Sequence, residues 1–231
     1  MDLSIILPTL NEASNISVLL PGLPEILAPL KIQYEVLIVD GGSSDGTVNI
    51  ASQFGPWVKV LIQKEQGYAE ALKTGFAAAG GDYMITLDSD LSHDSNLIPT
   101  LWEKRLKKDI LIGSRYIPGG SAKMPVWRWA LSRLLNKFVS VILELPFSDL
   151  SSGYRLYKSS VIRSIPLESS DFDILEEILI RAYAGGYSIE EVPIHYTPRQ
   201  KGKSKAQLFR FMVSFIKTLP KMWSLRNSTA P

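Results

Sequence analysis

The residues whose types and spacing could do chemistry are two aspartates, Asp88 and Asp90, which follow a short apolar run at 83–87. Such a run is typical of a buried strand that ends where the acids begin. In extended backbone, residues i and i+2 point to the same side, so the two carboxylates can converge. Without a cation between them, one would resist ionisation. The pair therefore predicts a Mg²⁺ or Mn²⁺ site completed by substrate phosphates, with two solvated acids at a turn as the alternative.

The composition is that of a globular chain without covalent cross-links. At 231 residues, the chain can form one large domain with a substantial core. It contains no cysteine, which excludes disulfides and thiolate metal sites and fits a reducing compartment. A strand pattern begins at Leu3, and no run reaches about eighteen apolar residues, so we expect neither a signal peptide nor a membrane span.

The charge is distributed unevenly along the chain. The net charge is +2, yet residues 199–226 contain eight basic and no acidic residues, which leaves residues 1–198 with a net charge of −6. A basic tail on an acidic body predicts contact with an anionic partner, such as a phosphate ligand, a membrane surface or a nucleic acid. The aromatic residues of the tail fall on a different helix face from the basic ones, which disfavours nucleic acid.

The order of the predicted elements indicates the fold class. Apolar runs predict strands at 3–7, 35–39, 58–63, 83–87, 110–113 and 188–196, and helical patterns lie between them. Alternating strands and helices predict an α/β fold with a mostly parallel sheet covered on both faces. Ligands of such sheets bind beyond the carboxyl ends of the strands. The segments that would share that edge are 8–12, 40–45, 88–90 and 114–115.

Two later segments predict helices that are more apolar than packing on one domain requires. The first, 126–145, has polar residues at intervals of three and four. The second, 206–225, confines its polar residues to a stripe of roughly 120°. We expect both to be in-plane membrane anchors, or else to pack on the domain or on a second subunit. The predicted organisation is a catalytic domain at 1–198, followed by a basic loop and an interfacial helix at 199–231.

Six short motifs at the strand edge and beyond occur in a characteristic order. They are ILPTLNE at 6–12, VDGGSSDGT at 39–47, DSD at 88–90, GSRY at 113–116, SGYR at 152–155 and GKSK at 202–205. On these motifs the chain resembles the family 2 inverting glycosyltransferases of the GT-A fold. It is most similar to the dolichyl-phosphate or polyprenyl-phosphate mannose synthases and their glucose-transferring relatives.

The resemblance implies a role for each matching residue. The base and ribose of a nucleotide sugar would be held by Pro8, Leu10, Glu12, Val39 and Asp40. The metal and diphosphate would be held by Asp88, Ser89 and Asp90, with Asp88 and Asp90 as the metal ligands. Further phosphate contacts would come from Arg115, Arg199 and Lys205, and the acceptor phosphate would meet Arg128 and Ser132. The plain alternatives are that Asp40 is a turn residue and that Arg128 lies on a solvated helix face.

Three positions depart from the family pattern. Many relatives carry Tyr at the position of Leu10, a second acid at that of Gly41 and Gln at that of Ser92. The first two departures leave the identity of the base open, and the third leaves the third metal ligand open. His93 could take that place, although beside oxygen ligands a histidine more often supports them. His195 lies in an apolar strand pattern, which predicts a core position.

The resemblance also implies the reaction. The enzyme would move a hexose, most favourably mannose from GDP-mannose, onto a polyprenyl or dolichyl phosphate with inversion, using Mg²⁺ or Mn²⁺. It would be peripheral on the cytoplasmic face of the membrane. Its partners would be the nucleotide-sugar donor, the lipid phosphate and the membrane surface, together with a second copy or a separate membrane-anchor subunit, and no nucleic acid.

Two other functions remain open from the residues alone. A phosphate acceptor is anionic near neutral pH and needs no general base. An enzyme that joins a UDP-sugar to a saccharide hydroxyl in cell-envelope polysaccharide synthesis needs one, and the candidates are Asp173, Glu176 and Glu177. A non-catalytic regulatory subunit would keep the fold, but it would have no need to retain both Asp88 and Asp90.

Overall fold

The computed structural model describes residues 1–198, 219–220 and 222–226. The strands within these ranges are β1 (Leu3–Thr9), β2 (Tyr34–Asp40), β3 (Val58–Ile62), β4 (Tyr83–Thr86), β5 (Ile110–Ser114), β6 (Ser121–Ala122), β7 (Arg155–Lys158), β8 (Ile189–Pro193) and β9 (His195–Tyr196). The helices are α1 (Ala13–Leu27), α2 (Thr47–Ala51), α3 (Tyr68–Ala78), α4 (Ile98–Lys104), α5 (Val126–Ile142), α6 (Ser159–Ser164) and α7 (Ile174–Ala184).

The main sheet of the described chain has the strand order β3-β2-β1-β4-β7-β5-β8. β1 is parallel to both β2 and β4, with Leu3 opposite Tyr34 on one side and Tyr83 on the other. Only β7 runs antiparallel to its neighbours in this sheet, between β4 and β5. β1 and β2 are continuous apolar runs because helices cover both faces of the sheet. The predicted α/β fold with a mostly parallel sheet is confirmed.

The apolar side chains of the strands alternate between two cores. Ile6 and Leu37 belong to the core that packs against α3 and α7. Ile5 and Val36 belong to the core on the other face, which packs against α1 and α4. Helix α5 contributes little to either core, since Asn136 and Val139 are its buried residues.

Helix α1 continues through Pro21–Gly22, where the sequence predicts an interruption. Both Pro21 and Pro24 lie inside the helix, although an internal proline costs about 3 kcal/mol. Leu20 and Leu23, on either side of Pro21, are fully buried in the same core. The interruption was therefore a wrong prediction, because packing of one continuous apolar face outweighs the proline penalty.

Three further features differ from the expectations. Strand β7 was not predicted, because it is short and its Arg155 has a residue type that rarely lies buried in a strand, although it is 0% exposed here. Helix α5 ends at Ile142 instead of 145, before Glu144, which has a left-handed φ of 51°. His195 is exposed and not in the core, because β9 lies outside the main sheet, paired with the two-residue β6 and bridged to His93 through Tyr196.

One segment in the described ranges is long and apolar enough to cross a membrane. Residues 13–30 have a mean hydropathy of 1.2, where the sequence alone led us to expect no such run. Most of the segment is α1, whose Leu19, Leu23 and Leu27 are buried against the sheet. Packing of this helix on the core therefore accounts for the apolar composition of residues 13–30.

Candidate active site

A cavity of about 460 Å³ opens at the carboxyl ends of β1, β2 and β4. Because these parallel strands are neighbours, their ends share one edge of the sheet. The predicted site residues that line the cavity are Pro8, Leu10, Glu12, Asp88, Ser89 and Asp90. Val39 and Asp40 are at most 1% exposed and do not line it. The chain after β2 instead reaches the cavity at Gly41.

Asp88 and Asp90 face the same cavity from the turn that follows β4. The Asp88 side chain is 38% exposed, whereas Asp90 is 8% exposed and accepts the Ser92 N–H at 3.0 Å through Oδ1. Ser89 Oγ donates to the Pro8 carbonyl at 2.9 Å, which ties the turn to β1. Leu91 has a left-handed φ of 62°, a conformation that a non-glycine residue adopts at a cost. The backbone is thus bent sharply just where the acids are presented.

The chemistry of this pair suits a hard divalent cation. Carboxylate oxygens are ligands that Mg²⁺ and Mn²⁺ prefer. Within the residues that the structure describes, no group of three or more His, Asp or Glu side chains could hold a metal. The described residues therefore fit a cation that two carboxylates hold and that substrate phosphates and water complete.

Ser92 and His93, the residues considered as a third metal ligand, are both buried beneath the turn that carries Asp88 and Asp90. Ser92 is 1% exposed and does not line the cavity. His93 is 6% exposed, and its Nδ1 accepts the Asp88 N–H at 3.3 Å. Burial lowers the pKa of His93, although the charge of Asp88 opposes the shift. We expect a neutral imidazole at pH 7, with its proton on Nε2, that supports the Asp88 backbone.

The Asp40 carboxylate accepts hydrogen bonds from the turn that follows it. Its Oδ1 accepts the N–H groups of Gly42 at 2.9 Å and Ser43 at 2.8 Å, and its Oδ2 accepts a short hydrogen bond from Ser43 Oγ. Asp45 plays a similar part: burial alone would raise its pKa, but hydrogen bonds from Thr47 and Ala13 lower it. Both carboxylates shape the loop between β2 and α2, as the turn-residue alternative predicts.

A glutamine side chain lies where a larger residue at position 41 would extend. A Cβ on Gly41 would lie 2.7 Å from Gln63 Oε1. The Gln63 amide is held in place because its Nε2 donates to the carbonyls of Gly67 at 2.8 Å and Glu65 at 3.2 Å. The space that a larger residue 41 would need is therefore filled by Gln63, which lines the cavity beside Leu10.

Arg115 is paired with a buried carboxylate at the end of β5. Its Nε and Nη2 bind Asp149 Oδ2 and Oδ1 at 2.7 and 2.6 Å, and Nη2 also donates to Ser151 Oγ at 2.9 Å. Burial alone would lower the pKa of Arg115, but the charge of Asp149 raises it well above its usual range. The rings of Tyr116 and Tyr196 lie 5.1 and 5.8 Å from its Cζ. The guanidinium is thus charged and rigidly oriented.

Ser132, one of the two predicted acceptor residues, is bonded to a residue that lines a second cavity beside Arg115. This cavity, of about 600 Å³, is lined by Arg115, Tyr116 and Trp129 among others. Ser132 Oγ accepts a hydrogen bond from Tyr116 OH at 2.7 Å. Burial raises the pKa of Tyr116, while the charge of Arg115 and the hydrogen bond with Ser132 oppose the shift. Tyr116 thus connects Arg115 to Ser132, and Arg128 lies on the same helix as Ser132.

A comparison with protein-family models gives a match to the model described as glycosyl transferase family 2, over residues 4–165. The chain belongs to glycosyl transferase family 2. The predicted resemblance is thereby confirmed. The matched region contains the whole turn of Asp88 and Asp90, Arg115 with its Asp149 partner, and helix α5.

Three curated relatives of this glycosyltransferase are similar over most of its length. The dolichol-phosphate mannosyltransferase of Pyrococcus furiosus is 35% identical over 89% of this chain and 59% of its own. The polyprenol monophosphomannose synthase of Mycolicibacterium smegmatis is 32% identical over 87% of this chain and 79% of its own. The undecaprenyl-phosphate mannosyltransferase of Micrococcus luteus is 32% identical over 87% of this chain and 85% of its own. The chain thus spans 59% of the length of the Pyrococcus relative.

Solved structures confirm the GT-A fold. Glucosyl-3-phosphoglycerate synthase from Mycobacterium tuberculosis, in complex with Mn²⁺ and UDP-glucose, has a TM-score of 0.73 at 21% identity, over 96% of this chain and 79% of that one. The same enzyme in complex with phosphoglyceric acid has a TM-score of 0.70 at 21% identity, over 100% of this chain and 81% of that one. At this level of identity the likeness concerns the fold.

Some predicted features of this family 2 glycosyltransferase lie outside the described residues. They are Arg199, Lys205, the basic loop that contains them and most of the helix predicted at 206–225. Of that helix, residues 219–220 and 222–226 are helical. Met222 is 2% exposed and packs in the core with α3 and α7, whereas Trp223 is 56% exposed.

The three carboxylates considered as a general base, Asp173, Glu176 and Glu177, are buried, and none of them lines the donor cavity. Glu177 accepts the N–H groups of Glu168 and Ser169 at 3.0 and 2.7 Å and Arg181 Nε at 2.9 Å. Glu176 is 1% exposed, and burial raises its pKa to about 8, although the charge of Arg155 opposes the shift. Neither Glu176 nor Glu177 lines the cavity that contains Asp88 and Asp90.

Several residues of the site were not predicted from the sequence. Tyr68 and Phe172 line the donor cavity and stack with ring centroids 5.0 Å apart and planes at 18°. Gln63 fixes the loop before Tyr68, and Asp149 orients Arg115. The available signals were weak: Asp149 precedes the motif at 152–155 by only three residues, and Tyr68 follows a glycine just after β3.

Proposed function

We propose that this glycosyltransferase moves a hexose, most favourably mannose from GDP-mannose, onto a polyprenyl or dolichyl phosphate with inversion. The observation that carries the proposal is that three relatives named for mannosyl transfer to such lipid phosphates are 32–35% identical over 87–89% of the chain. The activity stays a proposal because the chain spans only part of those relatives. The site geometry supports it in three ways.

The first support is the pair of carboxylates in the donor cavity. Asp88 and Asp90 would hold Mg²⁺ or Mn²⁺, and solved structures of the same fold contain Mn²⁺ with UDP-glucose or Mg²⁺ with UDP. A bound cation would neutralise charge that grows on the departing diphosphate. Ser89 and His93 keep the two carboxylates in place through the Pro8 carbonyl and the Asp88 N–H.

The second support concerns the acceptor. A phosphate monoester has its second pKa near 6, so it is already an anion at neutral pH and attacks without a general base. None of the three candidate bases, Asp173, Glu176 and Glu177, lines the donor cavity, which disfavours a hydroxyl acceptor that needs one of them as its base. Arg115 lines the second cavity, Ser132 is hydrogen-bonded to the cavity residue Tyr116, and Arg128 lies on the same helix as Ser132. Guanidinium and hydroxyl groups of this kind bind phosphate well.

The third support is the outer face of α5, which presents apolar side chains to solvent. Its exposed apolar residues, between 52% and 82% accessible, are Val126, Trp127, Leu134, Phe138 and Val141. Arg133 and Lys137 are exposed beside this stripe. An apolar stripe flanked by cations is suited to lie in the plane of an anionic bilayer surface. This stripe supports our proposal that the enzyme is a peripheral protein, on the cytoplasmic face of the membrane, with the lipid phosphate entering near α5.

The decisive experiment uses GDP-mannose labelled with a radioisotope and vesicles that contain polyprenyl phosphate. The expected product is label that becomes extractable with lipid and that depends on added Mg²⁺ or Mn²⁺. Vesicles with the unphosphorylated polyprenol are the control and should give no product. Label that never enters the lipid fraction with any GDP- or UDP-sugar, or transfer to a soluble saccharide instead, would overturn the proposal.

A further inference from the structure

The inner side of α5 carries a buried amide where apolar packing would be expected. Asn136 is 6% exposed. Its Oδ1 accepts the N–H of Leu150 at 2.8 Å and of Ser151 at 3.3 Å. Its Nδ2 donates to the Ser132 carbonyl at 2.9 Å and to Ser151 Oγ at 3.2 Å. Both ends of the amide are therefore satisfied, and its main partners lie in the loop at 148–151.

The loop that Asn136 binds is also the loop that orients Arg115. Asp149 accepts two hydrogen bonds from the guanidinium and a third from the Arg115 N–H at 3.0 Å. Ser151 Oγ is shared, because it accepts from Arg115 Nη2 at 2.9 Å and from Asn136 Nδ2 at 3.2 Å. A single hydroxyl thus joins α5 to the guanidinium.

In the described structure the loop is held by Glu191, by Asn136 and by Arg155, whose Nη2 donates to the Leu150 carbonyl at 2.5 Å. On the side of β8, Glu191 accepts the N–H groups of Ser148 at 2.9 Å and Asp149 at 3.0 Å. On the side of α5, Asn136 accepts the next two N–H groups along the chain. Loss of the Asn136 side chain would leave the N–H groups of Leu150 and Ser151 without their acceptor, while Glu191 would still hold the start of the loop.

We propose that Asn136 is a positioning residue for Arg115, through which the membrane-facing helix α5 is linked to the reacting phosphates. The proposal rests on the proposed function, because it takes Arg115 to contact a phosphate during transfer. A planar guanidinium binds phosphate in a fixed geometry, and a misplacement of about 1 Å at a reacting centre can cost as much as 10²-fold in rate. Asn136 sets that geometry by fixing Ser151 and, through the loop, Asp149.

The test is a double-mutant cycle on kcat/KM for polyprenyl phosphate in anionic vesicles. We expect Asn136→Ala to lower kcat/KM about tenfold in the unmodified protein, but less than about twofold in an Arg115→Lys background, because Lys cannot use the geometry that Asn136 maintains. An equal loss in both backgrounds would show that Asn136 acts independently of Arg115 and would overturn the positioning role. GDP affinity, measured by calorimetry, should change less than about twofold.

Two further variants protect the test from a general loss of stability. Ser151→Ala removes only the shared hydroxyl and should give the same non-additivity with Arg115→Lys. Ser140→Ala, also on α5, removes a bond to the Leu145 carbonyl and should lower kcat/KM equally little in both backgrounds. If the unmodified protein binds GDP but makes no lipid-linked hexose, the proposed function fails; if it makes product and the effects of both Asn136→Ala and Ser151→Ala are additive, only the positioning role fails.

Discussion

The donor cavity and the Arg115 cluster are built in different ways. Most of the predicted cavity side chains lie next to strand ends, where the sheet topology brings them together, and the Asp90–Ser92 and Ser89–Pro8 hydrogen bonds hold the acidic turn. Arg115 instead depends on the side chains of Asp149 and Ser151, which lie 34 and 36 residues away along the chain. The position of the acids thus follows mainly from the sheet, whereas the orientation of Arg115 follows from long-range side-chain contacts. Variants in the two regions should therefore fail differently.

Asp90→Asn should have the largest effect on catalysis and a small effect on folding. The amide keeps an oxygen for the Ser92 N–H but loses the charge that a cation requires, so we expect kcat/KM to fall by about 10²- to 10³-fold. The same variant should weaken Mn²⁺ binding in the presence of GDP, measured by calorimetry. Asp94→Asn is the matched control, since Asp94 is an exposed cap of the Asn96 N–H. Equal losses in the two variants would contradict a metal role for Asp90.

Asp149→Ala should instead lower the free energy of unfolding of the protein. It leaves the buried Arg115 charge unpaired, and removal of one partner of such a pair costs about 3 kcal/mol or more. Urea unfolding at pH 7 would measure this loss. Because the unpaired charge is the cause, the double variant Asp149→Ala with Arg115→Met should recover part of the stability. If the double variant is less stable than Asp149→Ala alone, the pair is not the source of the effect.

Glu177→Gln separates a structural carboxylate from a catalytic base. Loss of charged hydrogen bonds to Glu168, Ser169 and Arg181 should cost about 1–2 kcal/mol in urea unfolding. The rate of transfer should change less than about threefold, since a phosphate acceptor needs no base. A rate loss of more than a hundredfold with normal GDP binding would favour a hydroxyl acceptor instead.

The pH dependence of this stability difference has a definite sign. Burial alone would raise the Glu177 pKa, but hydrogen bonds from Ser169, Glu168 and Arg181 lower it below its ordinary value of 4.5. The contribution of Glu177 is therefore present above about pH 4.5 and is lost as the pH falls through the folded pKa. The difference in unfolding free energy between the native protein and Glu177→Gln should become smaller as the pH falls. A gap that widens below pH 4.5 would mean that the Glu177 pKa is raised.

The sequence predicts the donor side of the molecule far better than the Arg115 side. The apolar runs, the i, i+2 spacing of Asp88 and Asp90 and the motif order are local, and they suffice for the sheet and most of the cavity lining. The partners of Arg115 could not be predicted, because Asp149 and Ser151 lie in a loop far along the chain, and that loop is placed by β7, which lies between β4 and β5. Asp40 remains a predicted nucleotide-sugar residue, and the structure adds that its carboxylate accepts hydrogen bonds from the turn that follows β2.

The smallest predicted effect concerns the outer face of α5. The double variant Leu134→Ser with Phe138→Ser should weaken binding to anionic vesicles about tenfold, because buried apolar surface drives interfacial binding. With a short-chain polyprenyl phosphate in detergent-free solution, its rate should stay within about twofold of the native rate, since neither side chain contacts Arg115 in the described structure. Val18→Ser, which changes a residue of α1 that is 56% exposed, is the matched control and should bind vesicles normally. If the double variant instead converts a dimer to a monomer and leaves vesicle binding intact, the outer face of α5 contacts a second copy, and the membrane surface must be sought elsewhere on the molecule.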